Sequence, residues 1–477
     1  MDSIAVMSRS RSAWALVLTS AAFFMGALDS LVVITALPAV HREIGGSLSS
    51  LEWTVNAYTV AVAAGIITAA AIGDRLGRRR VYIVGLYLFS AASAACALAP
   101  SVDVLIAARA VQGLGAAIIT PLSLTILTSA FPASRRGAIV GAWGGIGGLA
   151  VAIGPMIGGA VTQGLSWHWI FWINVPIGIA AAVLSGMRLP ESRGAQTRLD
   201  IPGLAFVTVG AVSLLWGLIR STDVGWTSNE VLIAIGLGAL LMIGFVLWES
   251  RAPAPMLPLR LLTIRPFATA SGTAFLMSGS IMSAAFLASQ FFQFGLGYSP
   301  FDTGLRFLPW TGTAFIVAPI AGRLSDRIGT RPLMVVGLLM NATGLAWMSQ
   351  IAGAGVGYGQ LVLPLILGGV GVSMALPTTP TAALSAVPVT DLGKASGVIN
   401  MLQRFGAAFA IAVVAAVFAA SGHLGSAAGV SAGFKPATAV VAGMSALGAV
   451  LALATAGRPR VKALAPPDME IQEPAAA

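Results

Sequence analysis

The chain has 477 residues, 57% of them hydrophobic and only 9% charged. Soluble domains carry roughly 25% charged residues, so composition excludes a soluble enzyme or binding module and indicates a polytopic membrane protein. The net charge of +10 admits nucleic acid, acidic lipid or membrane topology as its cause, and the placement of the basic residues decides among them.

A membrane span needs about 20 apolar residues. In chain order such runs lie near 13–38, 51–72, 81–99, 104–128, 137–161 and 169–187, then 202–219 and 230–248. Six more lie near 266–291, 303–321, 332–351, 358–379, 394–420 and 436–457, which makes fourteen. The first run is too long for a signal-peptide core and lacks a small-residue cleavage pattern. With the N-terminus inside, 21 of the 27 Lys and Arg fall in cytoplasmic segments, four in outer segments and two, Arg109 and Arg404, within spans. That is the positive-inside bias, and an odd number of spans would destroy it. Both termini are therefore expected in the cytoplasm, and the bias accounts for the +10 without nucleic acid.

An internal repeat organises the runs. "AAAIGDRLGRRRV" after the second resembles "IAGRLSDRIGTRP" after the tenth, and aligning Asp74 with Asp326 gives an offset of 252. The same offset carries the first run onto the ninth. The expected fold is all-α: two six-helix bundles with two extra helices inserted between them. The expected organisation is a cytoplasmic N-terminus (1–12), a first bundle (13–190), a linker with two extra spans (191–265), a second bundle (266–457) and a polar cytoplasmic tail (458–477). Parallel repeats with a central site are one transporter plan.

Among the 17 acidic residues, Asp29 alone stands well inside a span. Burying an Asp at mid-bilayer costs about 2.5–3.5 kcal/mol. The cost falls on the ionised form, so such a residue is suited to taking up a proton. Arg109, in "VLIAARAVQGLGAAIITP", is the natural counter-charge, because both residues fall in the outer half of the membrane. A static pair that only holds two helices together is the plainer reading of the same charges. The offset maps Asp29 onto Ile281 and Arg109 onto Leu361, so the second half lacks both charges.

In "GDRLGRRR", Asp74 is placed to cap the start of the third helix, Arg75 and Arg78 to pair with acids or helix ends, and Gly77 to allow a tight turn. With Asp326 and Arg327 in the second copy, these residues are expected to form a conformational latch. "GPMIGG", with Gly154, Pro155, Gly158 and Gly159, is suited to a kink and to close helix approach. Asn56, Tyr58, Trp143, Gln290, Gln293 and Asn400 are polar or aromatic residues within apolar runs, candidates for lining a substrate cavity as much as for interhelical packing. His41, His168 and His423 have no ligand spacing, and the one cysteine, Cys96, lies in an apolar run. No metal site is expected. A membrane enzyme would need clustered acids, histidines or a metal motif at one face, and none is present.

Together these elements resemble the major facilitator superfamily, and within it the fourteen-spanner drug–proton antiporters of the multidrug efflux type. "LDSLVVITALP" is similar to the first-helix motif, with Asp29 at its acid. "GDRLGRRR" is similar to the cytoplasmic loop motif, "RAVQGLGAAIITP" to the fourth-helix motif, "GPMIGG" to the antiporter motif and "WHWIFWINVPIG" to the entry into helix six. The resemblance implies alternating-access efflux of amphipathic compounds, antibiotics among them, driven by a proton gradient with no cofactor, and makes Asp29 and Arg109 proton-coupling residues. Export of one dedicated metabolite or lipid is the alternative within the same fold. The implied partners are a small-molecule substrate, protons and the bilayer; a single chain supplies both halves, so a monomer is expected. Arginine dominates the basic residues and alanine and glycine are abundant, a usage that fits the inner membrane of a bacterium. Ala70 stands where the loop motif usually opens with Gly, and His168 where Arg is usual. Gln403-Arg404 inverts the order of many relatives, and no role passes to Arg404. The second half lacks the extra acids some relatives use for polyvalent cations, which points to neutral, zwitterionic or monovalent substrates.

Overall fold

The computed structural model describes residues 9–455 apart from 132, 194–199, 254, 256, 258, 354 and 388–391. The tail at 458–477, most of the N-terminal segment 1–12 and the Asp326 side chain lie outside the described residues. All regular structure among the described residues is helical. The first half comprises α1 (Arg9–Ile44), α2 (Leu48–Leu76), α3 (Arg78–Ala97), α4 (Val102–Ser129), α5 (Ala133–Gly164), the one-turn α6 (Trp169–Trp172) and α7 (Asn174–Arg188). The insert is α8 (Ile201–Val224) and α9 (Asn229–Glu249). The second half follows with α10 (Leu259–Leu262), α11 (Arg265–Gln290), a π-helix (Phe291–Gly295), α12 (Pro300–Arg306), α13 (Leu308–Thr311), α14 (Thr313–Ile328), α15 (Thr330–Ile351), α16 (Tyr358–Leu384), α17 (Leu392–Ser421) and α18 (Ala427–Leu453).

Serine starts several of these helices in the way helix ends require, its hydroxyl accepting an otherwise orphaned backbone N–H. Ser47 does so for α2, Ser101 for α4, Ser228 for α9, Ser299 for α12 and Ser426 for α18. Among the described residues eleven helices are long and apolar enough to cross a membrane. α2 makes a twelfth when its two segments, Ser50–Ile66 and Thr68–Leu76, bent by 50°, count as one span. α5 and the 16-residue α14 are the long helices outside that set.

Burial along the two leading helices reveals how the halves meet. In α1, residues 31–38 are buried on every side, whereas 12–30 are buried along one stripe and Val17 is 57% exposed. In α11 and the π-helix that continues it the same holds for 283–293 against the turns before them. The two C-terminal ends touch directly: Ser289 Oγ donates to the Ile34 carbonyl at 3.2 Å and Gln293 Nε2 to the Thr35 carbonyl at 2.9 Å. Alongside them α5 closes on α12. Gly159 lies against the Pro300 carbonyl, Gly304 against the Pro155 carbonyl, and the Phe301 N–H donates to Gln163 Oε1 at 3.0 Å. The protein is therefore shut at the C-terminal ends of α1, α5 and α11. The insert packs instead where the halves meet through α2 and α17, with Leu215 and Ile219 of α8 packed with Val60 of α2 and Ala408 and Ala412 of α17.

The turn after α2 recurs after α14. Gly77 has φ +114° and donates its N–H to Gly73 O at 3.0 Å; Gly329 has φ +87° and donates to Ser325 O at 2.9 Å. Both donor and acceptor are displaced by 252 residues, and both turns need a backbone that only glycine adopts readily.

Candidate functional site

Five helices bring the first-half polar residues to one point. Asp29 (α1) accepts from Arg109 Nη1 (α4) at 2.5 Å through Oδ2, and from Gln112 Nε2 (α4) and Asn174 Nδ2 (α7) at 3.0 Å each through Oδ1. Arg109 also donates from Nε to the Thr54 carbonyl (α2) at 3.1 Å and from Nη1 to Gln112 Oε1 at 2.7 Å. Its guanidinium lies over the Tyr58 ring, 4.2 Å from the centroid. Behind the carboxylate, Ser93 (α3) accepts from Gln112 at 3.0 Å and from Asn174 at 3.1 Å and donates to the Phe171 carbonyl at 3.0 Å. Tyr58 closes the near side by donating to the Gly26 carbonyl at 3.2 Å.

The Asp29 and Arg109 side chains are each 1% exposed. Removing two charges from water is costly, and the cost is met only where geometry is good and the remaining lone pairs are satisfied. Gln112 and Asn174 satisfy them here. Loss of the Asp29 charge would leave Arg109 with two amide-type oxygens and an aromatic face, a poor substitute for a carboxylate. The arrangement sets one buried acid of α1 against one buried cation of the neighbouring α4.

The loop residues sit differently from the expectation for Asp74. Asp74 belongs to the last turn of α2, where Oδ1 accepts from Arg78 Nε at 2.7 Å. The cap of α3 is Glu191, beyond the end of α7, which accepts from the Arg79 and Arg80 N–H groups at 3.0 and 3.2 Å. The helix dipole favours that charge. A Cβ at Gly77 would fall 2.8 Å from the Glu191 carboxyl carbon, so both φ and space require glycine. Arg75 and Arg327 are exposed. In α5, Gly154 lies on Leu31 and Gly158 on the Val32 backbone, while Pro155 and Gly159 form the seam with α12.

The six cavity candidates do not converge. Tyr58 belongs to the charged cluster. Trp143 stacks on Phe23 with centroids 3.7 Å apart. Gln293 bridges α11 to α1, and Asn400 donates to the Ser396 carbonyl at 2.9 Å. Asn56 and Gln290 are buried with no hydrogen-bond partner among the described residues. Neither of two cavities uses any of the six. One of about 370 Å³ lies between α1 and α5, lined by Leu16, Val17, Ser20, Ala21, Phe24 and Ile146. The other, of about 20 Å³, lies inside the second half against Trp310, Leu345, Pro364 and Phe434. No cluster of three or more metal-ligating side chains occurs among the described residues.

Gln112, Asn174, Ser93 and Glu191 are the functional residues that sequence reasoning passed over. Gln112 carried a signal, since it stands three residues from Arg109 and thus on the same helix face.

With a buried ion pair inside a shell of membrane-length helices, comparison with known proteins settles the family. The Major Facilitator Superfamily profile matches residues 18–411 and 269–474. The chain belongs to that superfamily. It is 33% identical over 397 residues to the tetracenomycin C resistance and export protein of Streptomyces glaucescens, covering 83% of this chain and 74% of that protein. It is 34% identical over 407 residues to the multidrug resistance protein Stp of Mycobacterium tuberculosis, covering 85% and 75%. A crystal structure of a D-xylose–proton symporter superposes with a TM-score of 0.65 at 14% identity, over 93% of this chain and 98% of that one, and shares the fold. The superfamily transporter is thus a multi-pass membrane protein, not an enzyme.

Proposed function

We propose that this transporter is a fourteen-span proton-coupled exporter of small amphipathic compounds in a bacterial plasma membrane, of the drug–proton antiporter type. α5 and α14 complete the fourteen spans, both termini are cytoplasmic, and the protein works as a monomer without a cofactor. The observation that carries the proton coupling is the Asp29–Arg109 pair, buried to 1% and held by neutral donors alone. Relatives named for antibiotic export and multidrug resistance support the direction and the substrate class.

With the N-terminus inside, the shut ends of α1 and α11 face outward and the structure is the inward-facing state. A proton reaching Asp29 from outside cancels its charge, and Arg109 falls back on the Thr54 carbonyl and the Tyr58 face. Release of that proton to the cytoplasm restores the pair. Alternation between the two arrangements biases which end of the bundle is closed. The loop residues Asp74, Arg75, Gly77 and Arg78, with Asp326 and Arg327, act as the latch at the inner end. Gly154, Pro155, Gly158 and Gly159 let the outer end close.

The test is substrate efflux from proteoliposomes under an imposed pH gradient. The wild type exports against its substrate gradient, and Asp29→Asn does not. Undiminished proton-driven efflux in Asp29→Asn would sink the carrier role. A resistance profile of cells overexpressing each form reads substrate breadth: protection against one compound alone points to a dedicated metabolite exporter.

A further inference from the structure

Arg404 is a charge within a span that this mechanism does not use. It lies in α17, 12 residues from its start and 17 from its end, or about 18 and 25 Å at 1.5 Å per residue. The hydrocarbon core is about 30 Å thick, and an extended arginine cannot carry its charge from that depth to either surface. Among the described residues it has no hydrogen-bond or ion-pair partner, unlike Arg109. It is nevertheless half-buried rather than sealed.

Its surroundings fix the direction it serves. α17 packs on α2: Val398 and Met401 share an apolar cluster with Ile66, and Ala408 and Ala412 share one with Val60. Arg404 falls between these levels, on the border of the two halves. Asn400, one turn earlier, shares its face of the helix. Asp29 is paired with Arg109, so Arg404 is left without an ion-pair partner among the described residues. Intramembrane charges are costly, and those facing the interior mark substrate or ion pathways.

We propose that Arg404 receives an acidic group of the substrate, a carboxylate or an ionised phenol, making weakly acidic aromatic compounds the preferred cargo. The guanidinium supplies a planar two-pronged donor that fits a carboxylate. The substrate's acid supplies the partner that Arg404 lacks, and the first half keeps its own pair for the proton. This inference rests on the exporter reading above and narrows its substrate class.

Binding to the full-length protein in detergent, read by tryptophan quenching, tests it with 1-pyrenebutyrate and its uncharged amide. Wild type binds the acid about tenfold more tightly than the amide, the scale of one charge-assisted hydrogen bond. Arg404→Gln loses that preference and keeps amide binding; Arg404→Lys retains most of it. Equal binding of acid and amide by the wild type overturns the proposal, as does a preference that survives in Arg404→Gln. Anionic phosphatidylglycerol leaves the preference in place; if it displaces the acid, the site is a lipid headgroup's and the proposal fails. The readout is binding, so its failure is separate from failure of export: proton-driven efflux lost in Asp29→Asn without any acid preference removes this inference alone.

Discussion

Gly77 and Gly329, 252 residues apart, close one and the same turn, whereas Asp29 and Ile281, separated by the same interval, share nothing but burial. The first half gathers Asp29, Arg109, Gln112, Asn174 and Ser93 into one network. In the second half the offset puts Leu361 at the Arg109 position, Pro364 at Gln112, Leu345 at Ser93 and Trp310 at Tyr58. The last three line the small cavity of about 20 Å³, room for about one water. The polar residues nearby are neutral: Asn341 donates to Ser280 Oγ and to Ser445 Oγ, at 3.0 Å each. The backbone that lets each half move has been kept twice, and the chemistry has been kept once. On the proposed mechanism, motion is a property both halves must have, whereas one site is enough to couple it to protons.

The sharpest way to break that contrast is Arg109→Met, which leaves Asp29 buried without its cation. Stability should fall by about 3–5 kcal/mol, read as a drop in the unfolding temperature in detergent. Adding Asp29→Asn should restore most of the loss without restoring efflux. Recovery of efflux in the double variant would make the pair merely structural.

Gly159→Val comes next. A side chain there meets the Pro300 carbonyl, and overpacking of this kind costs about 1–3 kcal/mol. The shut end should open, and maleimide labelling of a Thr35→Cys variant, at a site 1% exposed, should rise severalfold. Unchanged labelling would show that the seam is not the gate. Gly77→Ala should cost about 1–3 kcal/mol for its backbone conformation, with Gly329→Ala shifting the unfolding temperature in the same direction. Effects of opposite sign would end the claim that the two turns are equivalent. The mildest change is Asn341→Leu, expected to cost about 1 kcal/mol and to leave proton-driven efflux intact. Loss of coupling in that variant would put chemistry in the second half as well.

Span positions were legible because bilayer thickness sets them, and Asp29 and Arg109 because a charge in an apolar run has few explanations. Gln112, Asn174 and Ser93 were not singled out, since neutral polar residues are common in membrane helices and only packing says which of them meet. Glu191 lay in a stretch that reads as linker. Its partners are more than 110 residues away, beyond the reach of any local pattern, so the cap of α3 fell to Asp74 by proximity. The breaks between α6 and α7 and through α12, α13 and α14 likewise depend on neighbours. Among the cavity candidates, polarity within an apolar run was one property with several causes, and the structure separates the six into a network member, a stacked ring, a helix bridge, an amide bonded to its own helix backbone and two buried amides.

Among the described residues, the contacts that cross between α1 and α11 and between α5 and α12 are made by hydroxyls, amides, carbonyls and glycine backbone. At the opposite end, the turn after α2 is held by Asp74–Arg78 and by Glu191 with Arg79 and Arg80, all partly exposed. Dissolved ions screen exposed charges over a Debye length of about 8 Å at physiological strength and have little hold on neutral contacts. Ionic strength therefore acts unevenly on this transporter: at the charged turn electrolyte screens the contacts that join α2, α3 and Glu191, whereas at the seam it reaches only the pairs beside the contacts, Asp302–Arg306 within α12 and Glu43–His168.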